Sequence, residues 1–219
     1  MGIFNIDNPL NKALGKIADM VLLSTLWLVC CLPVVTIGAS TTALYYACMK
    51  NHLEEGTNFR NFFHAFKRDL VKSLALELIV VLMAAILVLD FYVLPQLDIP
   101  LGGLVQVILT VCAAFCIAAL SYLFPLLARY DTTIRQMFKN AFLMSLMNLH
   151  YSILIFAVNC IPLLILILDM QLFIAAIPIV VLIWPGMSAM INAKTFLRIF
   201  KKYEPEEEKE EICAEAEVE

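Results

Sequence analysis

The chain has 219 residues, 62% of them hydrophobic and 16% charged, with a mean hydropathy of +0.88. Ordinary soluble domains are about half apolar and about a quarter charged. Residues 204–219 carry nine Glu and one Lys, net −8, which leaves 14 Lys/Arg against 10 Asp/Glu, net +4, on residues 1–203 of a chain whose total is −4. These figures exclude a soluble globule, a disordered chain and a nucleic-acid-binding protein, and leave an all-α integral membrane protein with basic rims and an acidic tail.

A bilayer core of about 30 Å takes about 20 apolar residues in a helix. On that measure, residues 1–203 read as one polytopic membrane domain of about five transmembrane helices, and residues 204–219 as a disordered acidic tail. The first apolar region, residues 20–49, is interrupted by Pro33 and Gly38. As a single helix it would measure about 45 Å, too long for one upright span and too short for two. It therefore either crosses once or enters, turns near Pro33–Gly38 and returns, a path tolerated where the turn is buried in protein or lines a watery cavity. Lys12 and Lys16 before this run, and Gly38 to Ser40 within it, have part of the form of a signal peptide. The run continues through Ala43 to Ala47, so it is expected to be retained.

Next, Phe59, Phe62, Phe63, Phe66 and Leu70 are spaced i, i+3, i+4, i+7, i+11, with Arg60, Asn61, His64, Lys67 and Arg68 off the stripe. This pattern predicts a short basic amphipathic helix at the membrane interface. Spans follow at residues 73–94 and 101–127, the second without any charge. A second amphipathic helix is expected from Ile134, Met137, Phe138, Ala141, Phe142 and Leu146, with Asp131 or Thr132 as its cap. The last spans are residues 149–168 and 172–193, the latter broken at Trp184-Pro185-Gly186. A shift of 76 residues aligns Phe62, Ala65 and Phe66 with Phe138, Ala141 and Phe142, so the chain reads as one lead span and two parallel copies of interfacial helix, span, span.

Lys and Arg cluster in three segments: Lys50 to Lys72, Arg129 to Lys139, and Lys194 to Lys202. The loops Pro95–Pro100 and Asp169–Gln171 have none. The positive-inside rule puts the basic segments in the cytoplasm. Five spans then place the N-terminus outside and the C-terminus in the cytoplasm, against the preference of Lys12 and Lys16.

Polar and helix-breaking residues at membrane depth are functional candidates by default. These are Pro33, Gly38, Glu77, Arg129, Asn159 and Pro185. Arg60, Phe62, Phe66, Lys67, Arg68, Phe138 and Phe142 on the amphipathic helices are candidates for docking a cytoplasmic partner. The seven cysteines form no CxxC and no metal-ligand spacing, and read as small apolar packing residues. No P-loop, GxGxxG or HExxH occurs. Ser188 with His150 is a faint match to a Ser–His dyad and lacks a Gly after the Ser. Neither an enzyme nor a cofactor is expected.

The run Cys31 to Tyr46 (CLPVVTIGASTTALYY) resembles the opening of the YesL-like family, domain of unknown function 624. So do Phe62 to Lys67, Phe124 to Tyr130 with Asn140-Ala141, and Asn192-Ala193-Lys194. The resemblance covers about residues 10–203 and leaves out the acidic tail. It implies a bacterial plasma-membrane protein of about five spans, from a family often encoded beside carbohydrate ABC-transport components and two-component sensors. It supplies no catalytic residues. The resulting expectation is a non-enzymatic accessory to carbohydrate uptake or sensing machinery, with the bilayer and ABC-transport or sensor-kinase components as partners. A small carrier or channel subunit, with a cavity at the broken first span and Glu77, is the alternative, and an intramembrane hydrolase is the third.

Overall fold

The computed structural model describes residues 9–53, 58–93, 102–168 and 170–203. The loop Pro95–Pro100, Asp169 and the acidic tail lie outside them. Among the described residues the chain is helical: α1 Pro9–Cys30, α2 Ile37–His52, α3 Asn58–Val93, α4 Gly102–Arg129, α5 Ile134–Met147, α6 Leu149–Leu168, α7 Met170–Leu182 and α8 Trp184–Tyr203.

Residues 20–49 do not form one long helix. Pro33, at φ −77° and ψ 114°, holds the chain extended, and a short 3-10 turn, Val34–Thr36, follows. Thr36 Oγ1 closes this turn by donating to the carbonyls of Cys30 at 2.6 Å and Pro33 at 2.8 Å. The two helices then run antiparallel. Trp27 Nε1 donates to Thr41 Oγ1 at 3.3 Å near the turn, and Asn51 Nδ2 to Asp19 Oδ2 at 3.1 Å near the open end. Residues 20–49 are thus two helices folded back on each other at Pro33–Gly38.

The Phe-rich stripe is not a separate interfacial helix either. It is the first half of α3, an unbroken helix of 36 residues, about 54 Å long. This half packs antiparallel along α2, from Asn51 beside Asn58, through Tyr46 beside His64, to Gly38 beside Glu77. Its apolar face turns into protein. Phe62 and Ala65 are fully buried, and the Phe62 and Phe66 rings stack.

The second amphipathic helix is a distinct element, α5. Met137, Ala141 and Ser145 are buried, whereas Phe142, Leu143, Leu146 and Met147 are exposed. At Asn148 the chain bends by 99° into α6. The Asn148 amide and side-chain Nδ2 both donate to the Met144 carbonyl, closing the end of α5. The two halves of the expected repeat therefore differ: the first basic helix continues straight into its span, and the second turns a corner.

Helices α4, α6 and α7 continue through Pro125, Pro162 and Pro178. The last expected span is broken at Ile183, and α8 restarts with Trp184-Pro185. A proline in the first helical turn lacks only an N–H that would have no intrahelical partner. The 13 residues of α7 reach about 20 Å, short of a bilayer core. By length and composition, two helical stretches can cross a membrane, Asn58–Asp90 and Val105–Arg129, or three if the bent pair α5–α6 is one span. Five unbroken spans are not present among the described residues.

The core gathers at the basic end. Leu23, Phe62, Leu76, Tyr122, Leu126, Leu127, Met137, Phe196 and Phe200 are fully buried there. Amphipathic α8 lies across this base, with Phe196 edge-on to Tyr45 and Tyr122, and Phe200 edge-on to Tyr130. Beyond it, α3 from Leu78 onward, the first half of α4, and most of α6 and α7 present exposed Val, Ile and Leu. Only 11% of each of the two span windows is buried. Apolar surface of that extent fits contact with lipid.

Candidate functional site

Three polar contact groups tie the helices together. In the first, the Gly38 amide donates to Glu77 Oε2 at 3.0 Å. Gly38 lies in the first turn of α2, where backbone N–H groups have no intrahelical partner and the helix end favours negative charge. A Cβ on Gly38 would stand 2.9 Å from Phe124 Cε1 and 3.1 Å from Glu77 Oε2, so α2, α3 and α4 meet here as closely as they do because the residue is Gly. Pro33 is exposed at the nearby turn. Of the hinge candidates, Gly38 and Glu77 are thus brought into contact, and Pro33 stands at the turn that precedes them.

In the second group, Ser24 of α1 receives the Gly186 amide at 2.8 Å and donates to the Ile183 carbonyl at 3.4 Å. One hydroxyl thereby serves both sides of the α7–α8 break. Pro185 is next to this contact, and its carbonyl accepts from Ser188 Oγ at 3.1 Å. Asn192 of α8 donates to Asn159 of α6 at 3.3 Å. Asn159 bonds between helices as its neutral polar character implies. His150 packs against Tyr151 at 4.0 Å between ring centroids, so Ser188 and His150 are engaged separately.

The third group is a cavity of about 190 Å³ between α2, α3 and α4, lined by Tyr46, Met49, Lys50, Leu53, Arg68, Ala128 and Arg129. Arg68 forks onto the buried Asp69 carboxylate, with Nε–Oδ1 3.0 Å and Nη2–Oδ2 2.7 Å, and its Nη2 also reaches the Ala128 carbonyl at 3.4 Å. A forked contact of this kind holds a guanidinium in one orientation. The Tyr46 ring lies 5.0 Å from Arg68 Cζ and 6.0 Å from Lys50 Nζ, so two cations share its face region. Nearby, Lys72 bonds Asp131. That bond and the lysine charge hold the Asp131 carboxyl below the ordinary carboxylate value.

The docking candidates divide between core and surface. Phe62 is fully buried and presents no docking surface. Phe66 and Phe138 are half-buried against the core. Arg60, Lys67 and Phe142 are exposed. Arg68 is oriented by Asp69 beside the cavity, where Arg129 also stands. Sequence reasoning missed Tyr46 and Ser24, counted Lys50 only as a loop charge, and gave no role to His52, whose ring bonds the Met190 carbonyl at 2.9 Å. Such pairings link positions far apart in the chain, which no local spacing in the sequence records.

Comparison with curated proteins and with solved structures finds no match. Residues 20–91, which run from α1 through most of α3 and include Gly38, Glu77, Lys50 and Arg68, match the model of the family described as "Protein of unknown function, DUF624", the domain of unknown function 624 that the sequence resembles.

Proposed function

We propose that the chain is a non-enzymatic accessory protein of the bacterial plasma membrane, acting with carbohydrate uptake or sensing machinery. The observation that carries the accessory reading is the division of the molecule. A packed helical base collects the basic residues, and apolar helices with little mutual burial extend from it. Such helices are free to contact lipid or the membrane helices of a larger assembly. The carbohydrate association comes from the family resemblance. The base is assigned to the cytoplasm by the positive-inside rule. The folded-back α1–α2 favours a re-entrant first region, which puts the N-terminus on the same side as the C-terminus. The bond from the Gly38 amide to Glu77 favours a structural junction at that carboxylate over a carrier site.

The test is a native-expression pull-down of tagged protein in mild detergent. Membrane components of a carbohydrate ABC transporter, or a sensor kinase, are expected to co-purify in stable ratio. Repeated isolation of the chain alone would overturn the accessory role.

A further inference from the structure

We infer that the outward face of α5 is a binding surface for anionic lipid, in the membrane leaflet next to the packed base. Arg135, Lys139, Phe142 and Leu146 stand at i, i+4, i+7 and i+11, so they share one face of the helix. All four are exposed, whereas Met137, Ala141 and Ser145 on the opposite side are buried. The outward face is graded along its length. Its first half carries the two cations, and its second half carries the exposed apolar side chains of Phe142, Leu143, Leu146 and Met147. Helix α5 has no Asp or Glu, and Asp131 ahead of it is bonded by Lys72.

Two contacts give the depth of each half. The Lys72–Asp131 bond ties the segment leading into α5 to the last cation of α3, where the apolar part of that helix begins. At the other end, Ser152 Oγ donates to the Ser145 carbonyl at 3.1 Å and pairs with the Tyr122 hydroxyl at 2.9 Å. Tyr122 is seven positions before Arg129, about 10 Å back along α4 towards its apolar part. Helix α5 therefore descends beside α4, a helix apolar enough to cross a membrane, from the cationic rim towards the apolar zone. Beyond the corner, the exposed apolar surface continues on α6 through Ile153, Leu154 and Phe156. Cations at the rim with apolar side chains deeper match a leaflet in section, phosphate first and then acyl chain. A neutral lipid serves the apolar half equally well. The cations are what favour an anionic headgroup, by about fivefold for each.

This inference rests on the membrane location proposed above and not on the accessory role. The full chain is reconstituted in bilayers of equal phosphatidylcholine and phosphatidylglycerol, with bromine on the acyl chains of one or the other. Phe142→Trp reports on α5 and Leu82→Trp on the apolar arm of α3, over the wild-type background of Trp27 and Trp184. Both added tryptophans are expected to be quenched. Brominated phosphatidylglycerol is expected to quench Phe142→Trp more strongly than brominated phosphatidylcholine, and Leu82→Trp to the same extent. Arg135→Gln or Lys139→Gln alone is expected to cut the preference at Phe142→Trp about fivefold, and the two together to remove it. Lys201→Gln with Lys202→Gln, on α8, is expected to leave it intact. Elution volume in detergent shows that each variant is folded. If Leu82→Trp is quenched and Phe142→Trp is not, α5 faces water or another protein chain, a second copy included, and the proposal is overturned while the membrane location stands. Equal quenching of Phe142→Trp by the two lipids, or a preference that survives loss of both cations, overturns it as well. If neither tryptophan is quenched, the membrane location itself fails and the proposal with it.

Discussion

The amide of Gly38 points at the carboxylate of Glu77 from 3.0 Å, joining residues 39 positions apart in the chain. It fixes the turn between α1 and α2 against α3 at the level where the apolar stretch Leu78–Leu89 begins. Glu77→Ala removes the acceptor and leaves an N–H of the first turn of α2 without its partner. A loss of about 1–3 kcal/mol in stability is expected, measured as a lowered unfolding midpoint in detergent. Glu77→Gln keeps an acceptor oxygen and is expected to lose less. Equal loss in both variants would show that the charge, not the bond, is what matters.

The two close-packed glycines are expected to differ. At Gly38 a new Cβ meets a ring edge and a carboxylate, both side chains able to move. At Gly186 it meets the Met20 carbonyl oxygen at 2.4 Å and Ser24 Oγ at 2.6 Å. The first of these is backbone and cannot yield without shifting α1. Gly186→Ala is therefore expected to cost about 1–3 kcal/mol, and more than Gly38→Ala. Unfolding midpoints of the two variants, compared side by side, check the order.

The Lys72–Asp131 bond ties α3 to the segment leading into α5. Because the folded-state carboxyl is depressed, its contribution is present above the unfolded carboxylate value and is lost as pH falls through the lower, folded value. Asp131→Asn is expected to lower the midpoint slightly at neutral pH, and to match wild type once the Asp131 carboxyl is protonated. Both residues are exposed, so high salt is expected to shrink the difference as well. A difference that survives acid and salt would point to packing instead.

At the tip of the first hairpin, Leu32, Val34 and Val35 are 78%, 72% and 68% exposed. No charged residue occurs from Met20 to Met49. A spin label at Val34→Cys is expected to collide more with dissolved oxygen than with an aqueous nickel complex, as lipid-facing sites do. A reporter fused at Met1 is expected on the same side as one at the C-terminus. Opposite-side reporters would restore a single crossing.

Much of the backbone was legible in the sequence. The long apolar runs gave α3, α4 and α6, the 3.6-residue period gave α5, and Pro33–Gly38 and Trp184–Gly186 marked real interruptions. The direction faced by the stripes was not legible. Phe62 and Phe66 have the spacing of a membrane-binding face, yet α2 packs along this half of α3 and covers it, and periodicity alone does not say which solvent an apolar face meets. Proline was an uneven guide for a similar reason. Pro125, Pro162 and Pro178 stay within helices, while Pro185 falls at a helix start, where its missing N–H costs nothing. Of the candidate site, Glu77 and Gly38 were each singled out, but their bond was invisible without the fold. The cavity drew Lys50 and Arg68 from one basic segment and Arg129 from another.

The unbroken run of α3 makes it a lever. Val93 is 16 positions after Glu77, and Arg60 is 17 positions before it, so each arm is about 25 Å long. With no joint along it, a tilt of about ten degrees in the lipid-facing arm swings the far end of the basic arm by roughly 4 Å the other way. Arg68, on the basic arm, is carried in the same sense over a shorter arc. One rod therefore joins the apolar arm to the packed base, whereas α5 and α6 meet at a corner of 99°.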